Sequence, residues 1–447
     1  MKITFLGGVQ EVTGSRTLVE DASSCVLVDC GLFQEGGDRK NRGRFPVDPR
    51  RIDALILTHA HIDHTGYIPA LVIQGFSGPI YCSAATFALC RIMLLDSAMI
   101  QEEDAKRINE RRTQRQKKVE PLYTTKDVEQ ALQLFKPIAY DHDVPIGSLS
   151  FKLVRSGHIL GSAFVELSND TTTITFSGDL GRPNQTVIKP RPELTGTDYL
   201  VLESTYGNRL HKKGNSLDVL KSVVQQTIAT RGILLIPAFA VGRTQLLLYY
   251  LFELRTQFPA IPIFLDSPMA INVTDLYCEF DAEHQLSKRT CADAFHVAKY
   301  IRKAKESEKL ERLQGPAIII AGSGMATGGR ILEHLKNLID DEKNTILFVG
   351  YQAKGTLGRK LIEGLSEVKF YGKKYPVRAH IDSIETLSAH ADYDEILAWL
   401  AAFKKAPKKV FLNHGEKDAA QALKEKIEQQ LGWSVVIPKY KESFTLG

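Results

Sequence analysis

Cysteine is scarce in this chain of 447 residues, and the six present (Cys25, Cys30, Cys82, Cys90, Cys278, Cys291) form no C-x-x-C pair. That excludes a disulfide scaffold and a thiolate metal knuckle, so reduced thiols are expected. No run approaches ~18 uncharged apolar residues, and no membrane span or membrane partner is expected. The opening Met-Lys-Ile-Thr-Phe-Leu-Gly-Gly reads as a strand entering a glycine turn. It has neither the long apolar segment nor the small-residue cleavage site of a secretory signal, which points to the cytoplasm. A strong charge imbalance is missing too: 57 Lys and Arg against 52 Asp and Glu leave +5. That surplus permits a polyanionic partner without demanding one. Repeats and low-complexity tracts are absent. A content of 43% apolar and 24% charged residues excludes a disordered or fibrous chain. The length is about three times the ~150-residue domain norm, so two or three domains are expected.

The first 60 residues alternate β-rich runs (2–6, 16–20, 25–29, 54–57) with glycine turns, and suggest a largely antiparallel sheet. A long helix is expected over about 84–118, a shorter one over 126–135, and strands over 150–155, 163–167, 171–177 and 199–202. From about residue 207 the rhythm changes. Apolar runs at 233–237, 263–266, 317–321 and 346–350 alternate with helical stretches at 243–257, 270–280, 330–339 and 357–365. That is the signature of β-α-β units and a mostly parallel sheet. Shorter strands and two helices (392–403, 418–431) follow. The reading is a discontinuous first domain, 1–206 and 367–447, interrupted by an α/β domain over 207–366. Seven basic residues against one acid between Lys106 and Lys118 read as a solvated helix face or as an edge that contacts phosphate.

The chemistry concentrates directly after the run 54–57, in Thr58-His59-Ala60-His61-Ile62-Asp63-His64. Three imidazoles and a carboxylate at a strand end are hard to explain structurally. In extended chain His59 and His61 point to one side, and Asp63 and His64 follow from the turn at a different height. Two adjacent metals suit that spacing better than one. The donors are nitrogen and oxygen, which favours Zn²⁺, with Mn²⁺ and Fe²⁺ as competitors. Further candidate ligands recur in the same setting, strand then polar residue then turn: His158 in Ser-Gly-His, Asp179 in Ser-Gly-Asp and His414 in Asn-His-Gly. The other histidines (His142, His211, His284, His296, His334, His380) read as surface or core residues.

The H-A-H-I-D-H motif, with Asp29, His158, Asp179 and the late His414, resembles the five motifs of the metallo-β-lactamase superfamily. More narrowly, Glu203-Ser204-Thr205-Tyr206-Gly207, Leu387-Ser388-Ala389-His390-Ala391-Asp392 and Asn413-His414-Gly415 resemble the three extra motifs of its β-CASP branch. That branch includes the cleavage subunit of pre-mRNA 3′-end processing and many prokaryotic ribonucleases. The segments around Gly322-Ser323-Gly324-Met325 and Gly350-Tyr351-Gln352 resemble its inserted domain. The resemblance implies an αββα sandwich with an inserted β-CASP domain of mostly parallel sheet, an α/β protein. It implies one Zn²⁺ held by His59, His61 and His158, and a second held by Asp63, His64 and His414, with Asp179 bridging. Asp29 would orient the metal-binding loop, and Glu203 and His390 would stand near the scissile phosphate.

On this basis the expected activity is hydrolysis of single-stranded RNA by a hydroxide activated between two metals, with Asp63 and Asp29 supporting the site. His390 would protonate the departing sugar oxygen and Glu203 would orient it. Endonucleolytic cutting is expected, with 5′-to-3′ exonuclease action open to the same site. The alternatives are a small-molecule lactam or thioester hydrolase and a DNA nuclease of the same superfamily. Against the first, His414 lies 235 residues beyond Asp179, a gap that houses an entire domain. Against the second, the family pairs histidine at the last motif with RNA and valine with DNA. No KH-type domain precedes residues 1–5, so a stand-alone enzyme is expected, with homodimerisation left open. Gly322–Arg330 lacks the Gly-Lys-Ser/Thr of a nucleotide-binding loop. Ser323 and Gly324 there, with Arg243 after Pro237-Ala-Phe-Ala-Val-Gly, and Ser388, are candidates for RNA phosphate contacts.

Overall fold

The computed structural model describes every residue except 35–37, 113–116, 212–213 and 354. The chain forms two compact units. One comprises Met1–Gln185, Pro190–Leu210 and His390–Gly447, the other Thr186–Lys189 and His211–Ala389. The return to the first unit thus falls at His390, not at 367 as the sequence suggests. The reason is the strand His380–Ile384, which pairs in parallel with Thr345–Val349 and so extends the inserted sheet.

Among the described residues, the first unit holds two seven-stranded sheets. One runs from Ser443–Thr445 through Lys2–Gly7, Arg16–Asp21, Ser24–Val28, Ala54–Ile56 and Ile80–Ser83 to Phe135–Ile138. Its early strands pair antiparallel, as expected. From Ser24–Val28 onward the pairing turns parallel, because helical crossovers carry the chain back to the same end. The second sheet centres on Lys409–Asn413, Tyr199–Glu203 and Thr173–Phe176, which run parallel to one another. Side-chain alternation explains how the layers adhere. In Tyr199–Glu203, Tyr199 and Val201 face the inter-sheet core with Phe5, Val28, Phe151 and Phe411. Leu200 and Leu202 face the other way, onto Ile396, Trp399 and Leu423 of the helices Tyr393–Ala401 and Lys417–Leu431.

The long helix spans Ala84–Glu110, packs on Ile80–Ser83, Phe135–Ile138 and the helix Thr125–Leu132, and ends before the expected residue 118. By length and composition alone this helix could cross a bilayer, but it carries Arg91 and Asp96, so it does not contradict the absence of a long uncharged apolar run. Of the basic stretch beyond it, residues 113–116 lie outside the described part.

In the second unit the six strands of the main sheet found among the described residues are all parallel, in the order Lys299–Tyr300, Ile263–Asp266, Ala317–Ala321, Ile233–Pro237, Thr345–Val349, His380–Ile384. The three central strands, Ala317–Ala321, Ile233–Pro237 and Thr345–Val349, are buried throughout. Helices on both faces require such uninterrupted apolar runs. A separate hairpin pairs Glu367–Phe370 with Lys373–Pro376. Cys278 and Cys291 are joined in a disulfide that closes a 13-residue separation, against the expectation of reduced thiols throughout. The bridge forms because the end of helix Pro268–Glu279 meets the helix Lys288–Phe295, with Cα atoms 6.0 Å apart.

Candidate active site

The candidate residues of the first unit sit at strand ends. Ser24–Val28 and Ala54–Ile56 run parallel, so Asp29 emerges beside Thr58. The Asp29 carboxylate accepts hydrogen bonds from the Thr58 amide (2.8 Å) and the Thr58 hydroxyl (2.9 Å). After His61 the chain turns into the short helix Ile62–Thr65. Its backbone is held from outside: the Asp63 carbonyl accepts from the Ser15 amide and the His64 carbonyl from the Cys30 amide. Gly31 is required here, since a Cβ would stand 1.6 Å from the Asp63 carbonyl oxygen. Arg16, buried at 2% exposure, donates from Nε and a terminal nitrogen to the Gly31 carbonyl. Its guanidinium lies 4.0 Å from the Tyr67 ring centre and 4.7 Å from that of Phe33.

Asp179 divides its two oxygens between two groups. Oδ2 lies 3.3 Å from His59 Nε2, 3.3 Å from His158 Nε2 and 3.9 Å from His61 Nδ1. Oδ1 lies 3.3 Å from His64 Nε2 and 3.4 Å from His414 Nδ1. Asp63 Oδ2 closes the second group, 3.3 Å from His414 Nε2. All seven expected ligands are therefore brought together. His59, His61, His158 and Asp179 form one potential metal-holding group, and Asp63, His64 and His414 another. Asp29 stands outside both and reaches the site through His64 Nδ1, at 2.7 Å.

The donor set fits a divalent cation. His64 Nε2 and Asp179 Oδ1 stand 3.3 Å apart, buried, yet neither makes a hydrogen bond. Two orphaned polar atoms facing one another are costly unless a ligand satisfies both. Burial, reinforced by His64, pushes His59 down to about 4, and burial also holds His158 well below the ordinary imidazole value. For Asp179 burial opposes ionisation, but His414, His64 and His59 outweigh it and hold the carboxyl well below its ordinary range. Neutral imidazoles and ionised carboxylates are the metal-binding forms. His64 is the exception. Despite burial, Asp179 and Asp29 raise it well above its ordinary value, so a cation at Nε2 competes with a proton.

Glu203 and His390 form a third group with Asp179. Glu203 is buried at the end of its strand, and its carboxylate also accepts from the Leu180 amide. His390 reaches the site because it bridges to Gly181. Its ring lies 4.7 Å from that of His158 and is stacked on Tyr206 at 6.0 Å. Thr58 and Tyr206 stood within the quoted motifs but were given no role from the sequence; their places next to His59 and three residues after Glu203 were the available signal.

The remaining candidates belong to the second unit. Ser323, Gly324 and Arg243 occupy strand-to-helix junctions at the C-terminal edge of the parallel sheet. Ser323 Oγ accepts from the Thr327 amide at 2.9 Å. Gly324 is required by packing, as a Cβ would lie 2.6 Å from the Phe239 ring. Ser388, a candidate phosphate contact, is 5% exposed. His284 and His334 are buried and hydrogen-bonded, as core histidines should be.

Family models match along the chain: "Metallo-beta-lactamase superfamily" over residues 11–222, "Beta-Casp domain" over 244–361, and "Zn-dependent metallo-hydrolase RNA specificity domain" over 374–438. Ribonuclease TTHA0252 of Thermus thermophilus is 37% identical over 95% of this chain and 95% of its own length. The chain belongs to the β-CASP branch of the metallo-β-lactamase superfamily. The transcription termination factor FttA of Methanocaldococcus jannaschii is 32% identical, covering 93% of this chain and 67% of that one. A solved structure of a protein of unknown function from Enterococcus faecalis shares the β-CASP chain's fold, with a TM-score of 0.58 at 14% identity over 100% of this chain and 99% of that one.

Proposed function

We propose that this protein is a zinc-dependent ribonuclease that hydrolyses phosphodiester bonds of single-stranded RNA in the cytoplasm. Cutting is endonucleolytic, with 5′-to-3′ exonuclease action open to the same site. The observation that carries this reading is the carboxylate of Asp179, whose two oxygens face two separate donor groups 3.3–3.4 Å away on their nearest contacts. His59, His61 and His158 with Asp179 Oδ2 would hold one Zn²⁺. Asp63, His64 and His414 with Asp179 Oδ1 would hold the second. When bound, such cations supply Lewis acidity towards phosphoryl oxygens and make water a stronger acid.

The chain's own residues do the rest. Asp29 and Thr58 fix the orientation of His64 and His59 through their Nδ1 atoms. His390 keeps Nδ1 on Glu203 and turns Nε2 towards Asp179, at 3.9 Å. Burial disfavours its charged form, but Glu203 and Asp179 outweigh that and raise its pKa to about 9. With Nδ1 held by Glu203, a proton at Nε2 is placed for transfer to the departing sugar oxygen. Backbone amides around Ser323 and Gly324, and the side chain of Arg243, supply contacts for RNA phosphates.

The relatives named above, a ribonuclease and a transcription termination factor, support RNA over a small molecule. Elemental analysis of the purified protein, followed by incubation with end-labelled RNA and matched DNA, tests the reading. Two zinc ions per chain and cleavage of RNA alone are expected, with loss of cleavage in chelator. Turnover of a β-lactam or thioester, with RNA left intact, would overturn it. Internal fragments at early times report endonucleolytic cutting, and stepwise mononucleotide release reports exonucleolytic cutting.

A further inference from the structure

His390 is carried by an irregular stretch of chain. It lies three residues before the helix Tyr393–Ala401, and its backbone pairs with the rest of the first unit through a one-residue bridge to Gly181. Beside that bridge the Ala391 amide donates to the Leu180 carbonyl at 2.9 Å. A group that must pass a proton tolerates little error in position, since a displacement of about 1 Å can cost on the order of 10²-fold in rate. A single bridge meets that demand only if its far side is rigid.

The far side is Gly181. Its amide donates to the Ser156 carbonyl at 3.2 Å, and a Cβ there would stand 2.0 Å from the Gly157 carbonyl oxygen. Its backbone is thus wedged between the loop that carries His158 and the segment that carries His390. Glycine has no side chain with which to fix itself, so the partner of its carbonyl decides how the peptide is turned. That partner is Arg191, which donates from a terminal guanidinium nitrogen.

Arg191 is itself well placed to be rigid. It is partly buried, with its guanidinium 5.9 Å from the ring centre of Trp399 on the helix that follows His390. Burial pulls its pKa down to about 10, while Glu395 and Glu203 pull it up, so the side chain stays charged at neutral pH. Glu395 forms the capping box of that helix with Asp392 and accepts from Arg182 at 3.0 Å. Arg191 therefore acts on the bridge residue through a hydrogen bond, and on the helix start and Glu203 through its charge. The His158 loop has supports of its own. The His158 amide donates to Ser162 Oγ at 3.0 Å, and the Gln185 side chain donates to the Gly157 carbonyl at 2.7 Å. Loss of Arg191 should accordingly disturb His390 and leave the metal-holding groups in place.

We propose that Arg191 is a positioning residue for His390: by holding the Gly181 carbonyl it fixes the bridge on which the imidazole is carried. The inference rests on the ribonuclease reading above and adds the residue that sets where its proton donor stands.

The test is a double-mutant cycle in full-length, zinc-loaded protein, read by steady-state cleavage of end-labelled RNA. Arg191→Met should lower kcat about tenfold or more, with KM and zinc content unchanged. Arg191→Lys keeps a charged donor and should recover most of that loss. Placed on His390→Ala, Arg191→Met should lower kcat no further, because the group it positions is already gone. Hydrogen exchange gives a readout independent of turnover. Peptides containing the Ala391 amide should exchange faster in Arg191→Met, and those covering residues 56–64 at the parent rate. If Arg191→Met does not fold, Arg191→Gln carries the same cycle. An undiminished further loss of kcat on His390→Ala, zinc lost from the Arg191 variants, or a lowered Tm with kcat and Ala391 exchange unchanged, would overturn this role and leave the ribonuclease reading intact. A parent protein that cleaves no RNA would remove both.

Discussion

His390 Nδ1 lies 3.1 Å from each carboxylate oxygen of Glu203, a symmetrical contact from a partly exposed imidazole to a buried acid. Glu203 is itself fixed by its strand and by the Leu180 amide, so the imidazole inherits its orientation. His390→Ala should keep the full metal content and lower kcat about 10²-fold or more, the scale for loss of a general acid. Glu203→Gln should lower kcat less and shift the alkaline limb of the pH–rate profile to lower pH, because the imidazolium loses its main stabilising charge. Elemental analysis beside steady-state kinetics checks both. Metal lost from His390→Ala, or an unchanged kcat, would remove it from this role.

Asp179 and His59 should behave differently on substitution. Asp179 touches both donor groups, whereas His59 belongs to one. Asp179→Asn should therefore weaken retention of both ions, and His59→Ala of one. Mass spectrometry under native conditions, or plasma emission after dialysis, reads the stoichiometry. Equal losses in the two variants would contradict a shared carboxylate.

Arg16 acts at a distance from the donors. Its fork on the Gly31 carbonyl ties the start of a strand to the loop that props the Asp63–His64 backbone. Burial lowers its pKa, yet the surrounding rings and the carbonyl keep the guanidinium satisfied. Arg16→Met leaves that carbonyl without its donor, at a cost of about 1–3 kcal/mol. The expected outcome is a lower unfolding midpoint in urea together with weaker zinc affinity by calorimetry. Loss of stability with zinc affinity unchanged would make Arg16 a packing residue alone.

Asp266 gives the second unit a pH-dependent term. Burial opposes its ionisation, but hydrogen bonds from His334, Ser307 and Arg330 outweigh it and hold the carboxyl below its ordinary range. A depressed folded pKa means that the stabilisation is fully present above about pH 4, the unfolded value, and fades as pH falls towards the folded one. Asp266→Asn should cost about 3–5 kcal/mol at pH 7, since it leaves His334 and Arg330 without their shared charge. The gap from the parent should narrow below about pH 4, as denaturant titrations across that range would show.

Much of the architecture is local enough to read along the chain. The strands Ile233–Pro237, Ile263–Asp266 and Ala317–Ala321 fall where the apolar runs put them, because a strand sheathed by helices on both faces must be mostly apolar. The strand His380–Ile384 was not legible. It lies at a sheet edge and carries polar residues at His380, Asp382 and Ser383, so its runs resemble a loop. The hairpin at 367–376 was hidden for a related reason: tyrosine stands where asparagine would have signalled the turn. The disulfide pairs cysteines of two different helices, and no spacing rule announces such a pair.

The sequence by itself determined which side chains could bind metal and which strand ends would carry them, because ligand type and the strand-to-turn setting are properties of a few neighbouring residues. Only the tertiary structure decided that Asp179 divides its oxygens between two donor groups, that Arg16 braces the loop beneath them, and that Ser388 is buried. Those facts depend on how sheets built from segments far apart in the chain stack, and stacking is set by the packing of whole faces.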